Sequence, residues 1–453
     1  MPAEQAAHRP AAGKAEPRHP ERSEGSGVKS DEILRDAQDD HGRRLWLPYR
    51  WELIVLLWLA YFFNQADRQV YNVVLPALSS DLQLTSEQAG LVGSIFMWTY
   101  ALLVPVAGYA GDVLRRKWIV VGSLAMWSAA TLLSGMSRGL LGLTVFRGLS
   151  TGGGEAFYYP AANSLIGQYH EKTRAMAMSI HQTSAYAGIV ASGFLAGWIA
   201  EHYDWRMSFY VFGAIGLVLA AVLLVRVKDV GLPARPDSTR QERPPLGEVI
   251  RAVGRKPTVW ALCLAFGGFN FAGWGYFTWM PTFLHEKYGL SLTHAGFSAM
   301  FWSNLFALIG VLLAGRLSDA WAPRRRSLRM EVEYGGLFLG APFIALMGLT
   351  GNLHLCYVGL AGFGLCRGIY DSNLFASLFD VIEPRYRASA TGAMLAMSFT
   401  LSGFAPLVLG WAKSTIGLTA AFGALSLVYL GSAALVLLAT KLTFPRDCVP
   451  ITE

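Results

Sequence analysis

The sequence predicts an all-α integral membrane protein with twelve transmembrane helices arranged as two six-helix repeats. A series of apolar runs, an alternating placement of basic loops and an internal duplication predict it. Of the 453 residues, 53% are hydrophobic and only 15% are charged, against the ~25% charged share of soluble domains. Mean hydropathy is +0.35. Apolar runs of about 20 residues, the length that crosses a bilayer, recur at 52–75, 88–110, 118–137, 140–166, 175–201, 206–227, 258–284, 292–317, 332–350, 353–381, 389–413 and 418–440.

Residues 1–44 are rich in Glu, Asp, Arg, Pro, Ala and Ser and hold no apolar run. They read as a disordered cytoplasmic tail rather than a signal peptide, which needs an apolar core segment. Residues 228–257 set Pro233, Pro236, Pro244, Pro245 and Pro257 among many charges. That composition predicts a cytoplasmic linker dividing a six-helix bundle at 45–227 from a second at 258–441, with a short cytoplasmic tail at 442–453. The net charge of +7 follows from how Lys and Arg are placed. They cluster in alternate loops: Arg43, Arg44 and Arg50; Arg115 to Lys117; Lys172 and Arg174; the linker; Arg324 to Arg326 and Arg329; Arg385 and Arg387; Lys441 and Arg446. The loops between hold little beyond Arg138, Arg206, Lys287 and Lys413. This is the positive-inside pattern, so both termini are expected in the cytoplasm of a bacterial inner membrane. It excludes nucleic acid as the reason for the basic charge.

The four cysteines, Cys263, Cys356, Cys366 and Cys448, show no metal-ligand spacing and suggest no disulfide. With no phosphate loop, metal cluster or nucleophile triad, the chain is expected to be neither an enzyme nor a cofactor protein. The expected partners are the lipid bilayer, protons and a small anionic substrate, handled by a monomer.

The halves repeat each other. Leu84-Thr-Ser-Glu-Gln-Ala-Gly90 is echoed by Leu292-Thr-His-Ala-Gly296. Gly108-Tyr-Ala-Gly-Asp112-Val-Leu-Arg-Arg-Lys117 is echoed by Gly315-Arg-Leu-Ser-Asp319 and Arg324 to Arg326, and Arg174-Ala-Met-Ala by Arg387-Ala-Ser-Ala. Gly90 and Gly296, Asp112 and Asp319, and Arg174 and Arg387 stand 206, 207 and 213 residues apart, so the duplication keeps its register. Two six-helix repeats around a midplane site make an alternating-access architecture. The duplicated loop resembles the hallmark loop of the major facilitator superfamily over about residues 50–440. The resemblance implies that Gly108, Asp112, Arg116 and Asp319 form a cytoplasmic gate that stabilises the outward-facing state. Arg115 replaces that loop's second glycine, a change expected to stiffen the turn.

Asn64, Asp67, Arg68, Tyr71 and Asn72 fall at i, i+3, i+4, i+7 and i+8 within the first apolar run, one polar stripe on an otherwise apolar rod. An acid or an arginine at the centre of a spanning helix costs roughly 2.5–3.5 kcal/mol. The adjacent pair therefore serves either to lock two helices together or to bind ligand and proton. Asn64-x-x-Asp67-Arg68, Arg147 with Gly154-Glu155-Ala156, and Tyr276-Phe-Thr-Trp-Met-Pro-Thr282 resemble the anion:cation symporter branch of the superfamily. That branch includes bacterial sugar-acid transporters and vesicular glutamate and sialic acid carriers. The resemblance implies that Arg68 binds a substrate carboxylate and that Asp67 and Glu155 carry coupled protons. An arginine fork suits a carboxylate independently of any resemblance. No base stands one turn from Glu155 on its own run.

Arg147 and Glu155 are eight residues apart, where the branch pattern has seven, and eight leaves them about 80° apart on a regular helix. The Gly152-Gly153-Gly154 run can absorb the extra residue as a π-bulge; otherwise Arg147 braces the acid on the first run. Arg367 and Asp371 stand at i,i+4 and can pair, or Arg367 can face the cavity opposite Arg68 beside Tyr370. Comparable positions in sugar-acid carriers imply cavity roles for Tyr100 and Gln182, and Asn64 joins them from the polar stripe. The Asp-Arg pair and Arg147-Gly-Leu…Gly154-Glu-Ala also resemble the spinster-like branch, which moves lysolipids. A non-transporting sensor on the same fold is a third reading, weakened by the retained acids.

The gate reading yields a test. Asp112→Asn should shift the population toward the inward-facing state and slow net transport while ligand binding survives. Cysteine labelling from the two sides reads the shift, and unchanged labelling removes Asp112 from the gate.

Overall fold

The computed structural model describes residues 48–170, 173–228, 248, 251, 254–321 and 325–449. The 1–44 tail, most of the 228–257 linker, Lys172, Arg324, the end of the 442–453 tail and the Asp112 side chain lie outside the described residues.

The fold is all-α. The first half comprises α1 (Tyr49–Asp81), α2 (Ser86–Val113), α3 (Arg116–Gly135), α4 (Leu140–Leu143), a π-helical stretch (Thr144–Thr151), α5 (Gly152–Ala156), α6 (Tyr158–Tyr169), α7 (Arg174–His202) and α8 (Trp205–Arg226). The second comprises α9 (Pro257–Tyr288), α10 (Leu292–Trp321), α11 (Leu328–Leu349), α12 (Leu353–Asp371), α13 (Leu374–Val381), α14 (Arg387–Ser402), α15 (Ala405–Thr415), α16 (Gly417–Leu442) and α17 (Phe444–Asp447). Among the described residues, nine helices are long and apolar enough to cross a membrane. The 33-residue α1 and 32-residue α9 are not among them; α1 carries the densest run of buried polar side chains, Asn64, Asp67, Arg68, Gln69 and Asn72. Exposed Leu102, Leu312, Leu313 and Val225 give the outside an apolar face suited to lipid.

The duplicated segment 84–90 has a local purpose. Thr85 Oγ1 accepts from Gln88 N at 3.2 Å while the Gln88 side chain accepts from Thr85 N at 3.0 Å, a capping box that starts α2. In the second copy the Ser291 hydroxyl accepts from His294 N at 3.3 Å where α10 starts. The expected runs 353–381 and 389–413 are each broken. The first divides at Ser372 and Asn373. The second divides at Gly403 and Phe404, just ahead of Pro406, which has no N–H to continue the ladder. Arg115 is extended (φ −67°, ψ 119°), a conformation any residue adopts, so the missing glycine imposes no strain on the turn.

The two halves touch at one end. Leu407 N donates to Ser94 Oγ at 3.1 Å, Thr293 N donates to Glu201 at 3.1 Å, and the Ser414 hydroxyl binds Glu87. The contact continues inward to Trp98 on Phe404 (4.8 Å between ring centres) and Tyr100 on Phe399 (5.6 Å). Beyond that depth, toward the end where α1 begins and α16 finishes, Gly108 and Gly111 on α2, Gly315 on α10 and Gly392 on α14 border open space. The molecule is closed opposite its termini and open on their side.

Small residues permit that closure. A Cβ on Gly193 would lie 2.6 Å from the Gly296 carbonyl oxygen, and one on Gly296 would lie 2.4 Å from the Gly193 oxygen. Only glycine lets α7 and α10 cross so closely. Gly296→Leu should therefore hold this end apart while each half stays folded. A cysteine placed at Met300, whose side chain lies against Gly193 across the crossing, should become reactive to water-borne thiol reagents in that variant, and unchanged protection would show that the crossing does not control closure.

Candidate functional site

The buried polar groups of the first half converge where α1, α2 and the π-helical stretch meet. Arg68 donates Nε to Glu155 Oε2 in an ion pair, with Arg68 9% and Glu155 1% exposed. The guanidinium lies over the Tyr100 ring at 4.6 Å and near Phe96 at 5.7 Å. Arg147 Nη2 donates to the Arg68 backbone carbonyl at 2.9 Å, and its guanidinium lies over the Phe96 ring at 4.6 Å. Asp67 accepts from Thr131 Oγ1 at 3.4 Å. Asp67 Oδ1, Glu155 Oε1, Asn64 Nδ2 and Arg147 Nη1 have no hydrogen-bond partner among the described residues. Buried groups are rarely left so, and four in one cluster mark a site built to receive something.

The π-helix brings Arg147 and Glu155 to the same neighbour. Thr144–Thr151 is π-helical, with the Thr151 hydroxyl on the Phe146 carbonyl at 2.9 Å and the Ser150 hydroxyl on Val145 at 2.8 Å, each five residues back. The extra residue is thus absorbed, but one turn ahead of the glycines rather than within them. The glycines solve a packing problem instead. A Cβ on Gly152 would meet the Phe96 carbonyl oxygen at 2.8 Å, and one on Gly154 the Trp127 nitrogen at 2.9 Å, so the helix passes between α2 and α3 only with hydrogen there.

Glu155 has no base on its own run, and Arg68 reaches it from α1. Arg147 hydrogen-bonds the Arg68 backbone rather than an acid, within electrostatic reach of both Asp67 and Glu155.

Arg68, Tyr71, Asn72, Phe96 and Arg147 face Trp274, Thr278 and Pro406 of the second half across a cavity of about 20 Å³, room for roughly one water. The site thus ends against the closed end of the molecule. From the second half, Arg367 donates Nη2 to Asn304 Oδ1 at 3.0 Å and lies over the Phe277 ring at 5.1 Å. It forms no ion pair with Asp371 among the described residues, against one of the two expectations. Tyr186 of α7 lies within electrostatic reach of both Arg367 and Asp371.

Tyr370 departs from its expected place. It is fully buried against Phe269 (4.4 Å between ring centres), inside the second half rather than on the cavity wall. Gln182 is exposed and accepts from the Tyr159 hydroxyl at 3.4 Å, outside the Arg68 cluster. Gly108 and Asp319 lie exposed toward the open end, and Arg116 opens α3 there. Sequence reasoning missed Phe96, whose ring lies near both guanidiniums, and Thr131 and Asn304, which bind Asp67 and Arg367. A lone Phe, Thr or Asn in an apolar run carries no pattern that would single it out.

A family model described as the Major Facilitator Superfamily matches residues 57–406. A hexuronate transporter of Bacillus subtilis (strain 168) is 26% identical over 384 residues, 81% of this chain and 88% of that protein. An MFS-type efflux pump of Mycolicibacterium smegmatis is 25% identical over 389 residues, 85% of this chain and 88% of that one. A bacterial homologue of the human lysosomal transporter Spinster, solved in an inward-facing and unoccupied conformation, superposes with a TM-score of 0.78 at 23% identity, covering 89% of this chain and 99% of that one. At that identity the likeness concerns the fold.

Removing one member of a buried pair leaves the other unpaired, at a cost of roughly 3–5 kcal/mol. Glu155→Ala should therefore destabilise by about that much, and Arg68→Met combined with Glu155→Ala by much less than the two single changes together. Unfolding of the purified variants in detergent checks this, and additive effects would show that the pair does not act as a unit.

Proposed function

This chain belongs to the Major Facilitator Superfamily, and from that premise we propose that it is a proton-coupled symporter of a small organic anion working by alternating access. Proteins of the family transport rather than catalyse, and the chain is a membrane-embedded secondary transporter of small molecules, not an enzyme. The reading takes twelve membrane-crossing helices as two six-helix bundles, 45–227 and 258–441, joined by the 228–257 linker, with both termini cytoplasmic. The open end then faces the cytoplasm.

The observation that carries the proposal is the buried Arg68–Glu155 pair at the edge of the cavity. An arriving carboxylate and the Glu155 carboxylate compete for one guanidinium. A proton on Glu155 withdraws that competitor and frees the arginine fork for the substrate. Proton and anion then favour each other's binding by the same factor, as symport requires. Asp67, held by Thr131 with one oxygen unpartnered, is the second proton carrier. Arg367 supplies a cation from the opposite half.

A second reading, a spinster-like carrier of lysolipids, has the better support from the structural comparison. It is also favoured by the cavity lining, where Phe96, Tyr71, Met97 and Trp274 outnumber the neutral polar groups a sugar acid would need. An anionic lysolipid would place its phosphate on the same arginine. Thermal-shift measurements with sugar acids and with lysophospholipids on the purified protein separate the two readings: stabilisation by lysophospholipid alone overturns the sugar-acid class and leaves the anion site standing.

Two variants test the chemistry. Arg68→Lys keeps the charge and loses the fork, and should weaken anion binding roughly 10- to 100-fold without impairing insertion; unchanged binding overturns the assignment. Glu155→Gln mimics the protonated acid, and in reconstituted vesicles it should still exchange substrate across the membrane. It should lose accumulation driven by an imposed pH gradient. Retained accumulation would place the coupling on Asp67 alone.

A further inference from the structure

The second half buries an acid that the scheme above does not use. Glu333, on the second turn of α11, is 0% exposed, and neither carboxyl oxygen has a hydrogen-bond partner among the described residues. The Ser377 and Tyr370 hydroxyls are likewise buried without partners, and each adjoins Glu333. Asp380 lies next along this line, half-buried, held by Arg329 Nη1 at 2.9 and 3.1 Å. Ser377 and Asp380 share a face of α13, three residues apart.

Glu333 forms no ion pair among the described residues. Ser377 and Asp380 of α13 and Tyr370 of α12 lie nearest to it. Asp371, Tyr429 and Cys263 surround Tyr370 in turn, with Arg367 beyond them near Tyr429. On the other side Arg329, on the Glu333 helix itself, is engaged by Asp380, and Arg387 and Arg326 also lie toward Asp380 rather than Glu333. A carboxylate ion here would be a buried, unpaired charge, costing several kcal/mol, whereas the neutral acid can donate to a neighbouring hydroxyl. A merely structural role fits poorly, because the carboxyl group ties to no base and no backbone group among the described residues and has only a hydroxyl, Ser377, within reach. Gln or Met would fill the space as well.

We propose that Glu333 is a second proton-binding site, in the half of the molecule opposite Asp67 and Glu155, served from the terminal side through Asp380 and Ser377. The juxtaposition gives an order of exchangeable groups: Asp380 at the surface pair, Ser377, Glu333, then Tyr370, whose chain neighbour Asp371 is within electrostatic reach of Tyr186 in the first half. A proton moving inward leaves Asp380, the Ser377 hydroxyl accepts it while passing its own to a Glu333 oxygen, and charge balances at each step. The site extends the proton-coupled reading by one acid.

Infrared spectroscopy of the purified full-length protein in detergent reads the carbonyl stretch of protonated carboxyl groups and needs no substrate, so its failure leaves the Glu155 reading intact. Glu333→Gln should remove one protonated-carboxyl band. In the wild type that band should shift on transfer to heavy water and lose intensity as pH is raised. Ser377→Ala should slow the heavy-water shift of that band and leave the others unchanged. A band that neither shifts nor titrates, or no band lost in Glu333→Gln, overturns the site, and an unchanged exchange rate in Ser377→Ala overturns the route. Should Glu333→Gln fail to fold, Glu333→Asp displaces the same band and reads the same outcomes.

Discussion

The buried ion pair between Arg68 and Glu155 is the constraint on which the rest of the first half depends. Two charges deep in a membrane protein are tolerable only when each satisfies the other, and satisfying them fixes the helices that carry them. The pair holds α1 against the segment following the π-helix, and Arg147 adds a second tie by binding the Arg68 carbonyl. Both guanidiniums lie within cation–π range of the Phe96 ring. The glycines at 152 and 154 let α5 lie close against α2 and α3, which sets where Glu155 stands. The local irregularities of this chain, a π-helix and a glycine run, thus bring one acid to one base.

The same economy of small residues governs the relation between the halves. The closed end is formed where backbones approach over glycine, at Gly193 and Gly296, and where hydroxyls and acids bind across the seam, at Ser94, Glu87 and Glu201. These contacts are polar and shallow, of the kind that can be exchanged for another set without unfolding either half. The deeper layer, Tyr100 against Phe399, joins this seam to the charged cluster, because the Tyr100 ring also covers Arg68. A change in the charge on that arginine's partner therefore reaches the contact between halves through a single side chain.

The acids of the molecule differ in how they are held. Glu155 is paired, Asp67 is bound by one hydroxyl, and Glu333 has no partner among the described residues. The cost of charging a carboxyl in a dry interior falls with each donor it can reach. The three thus form a graded series within one fold, spread across both halves.

Much of this was legible in the sequence. Hydrophobic runs announce membrane helices because lipid demands them, and the duplicated Asp112 and Asp319 loops announce two related halves. The polar stripe from Asn64 to Asn72 follows from helical spacing alone, as does the need for something to absorb the extra residue between Arg147 and Glu155. What sequence could not determine is which partner each charge takes. Arg68 and Glu155 are 87 residues apart in the chain, and only the packing of the first-half helices makes them neighbours. Arg367 and Asp371 have ideal spacing for a pair, yet Arg367 turns to Asn304 because α10 offers a nearer acceptor. Tyr370 looks like a cavity residue, and tertiary packing buries it inside the second half. Spacing sets which way a side chain leaves its helix; the neighbouring helices decide what it meets, and for a charge in lipid that meeting sets most of the energy.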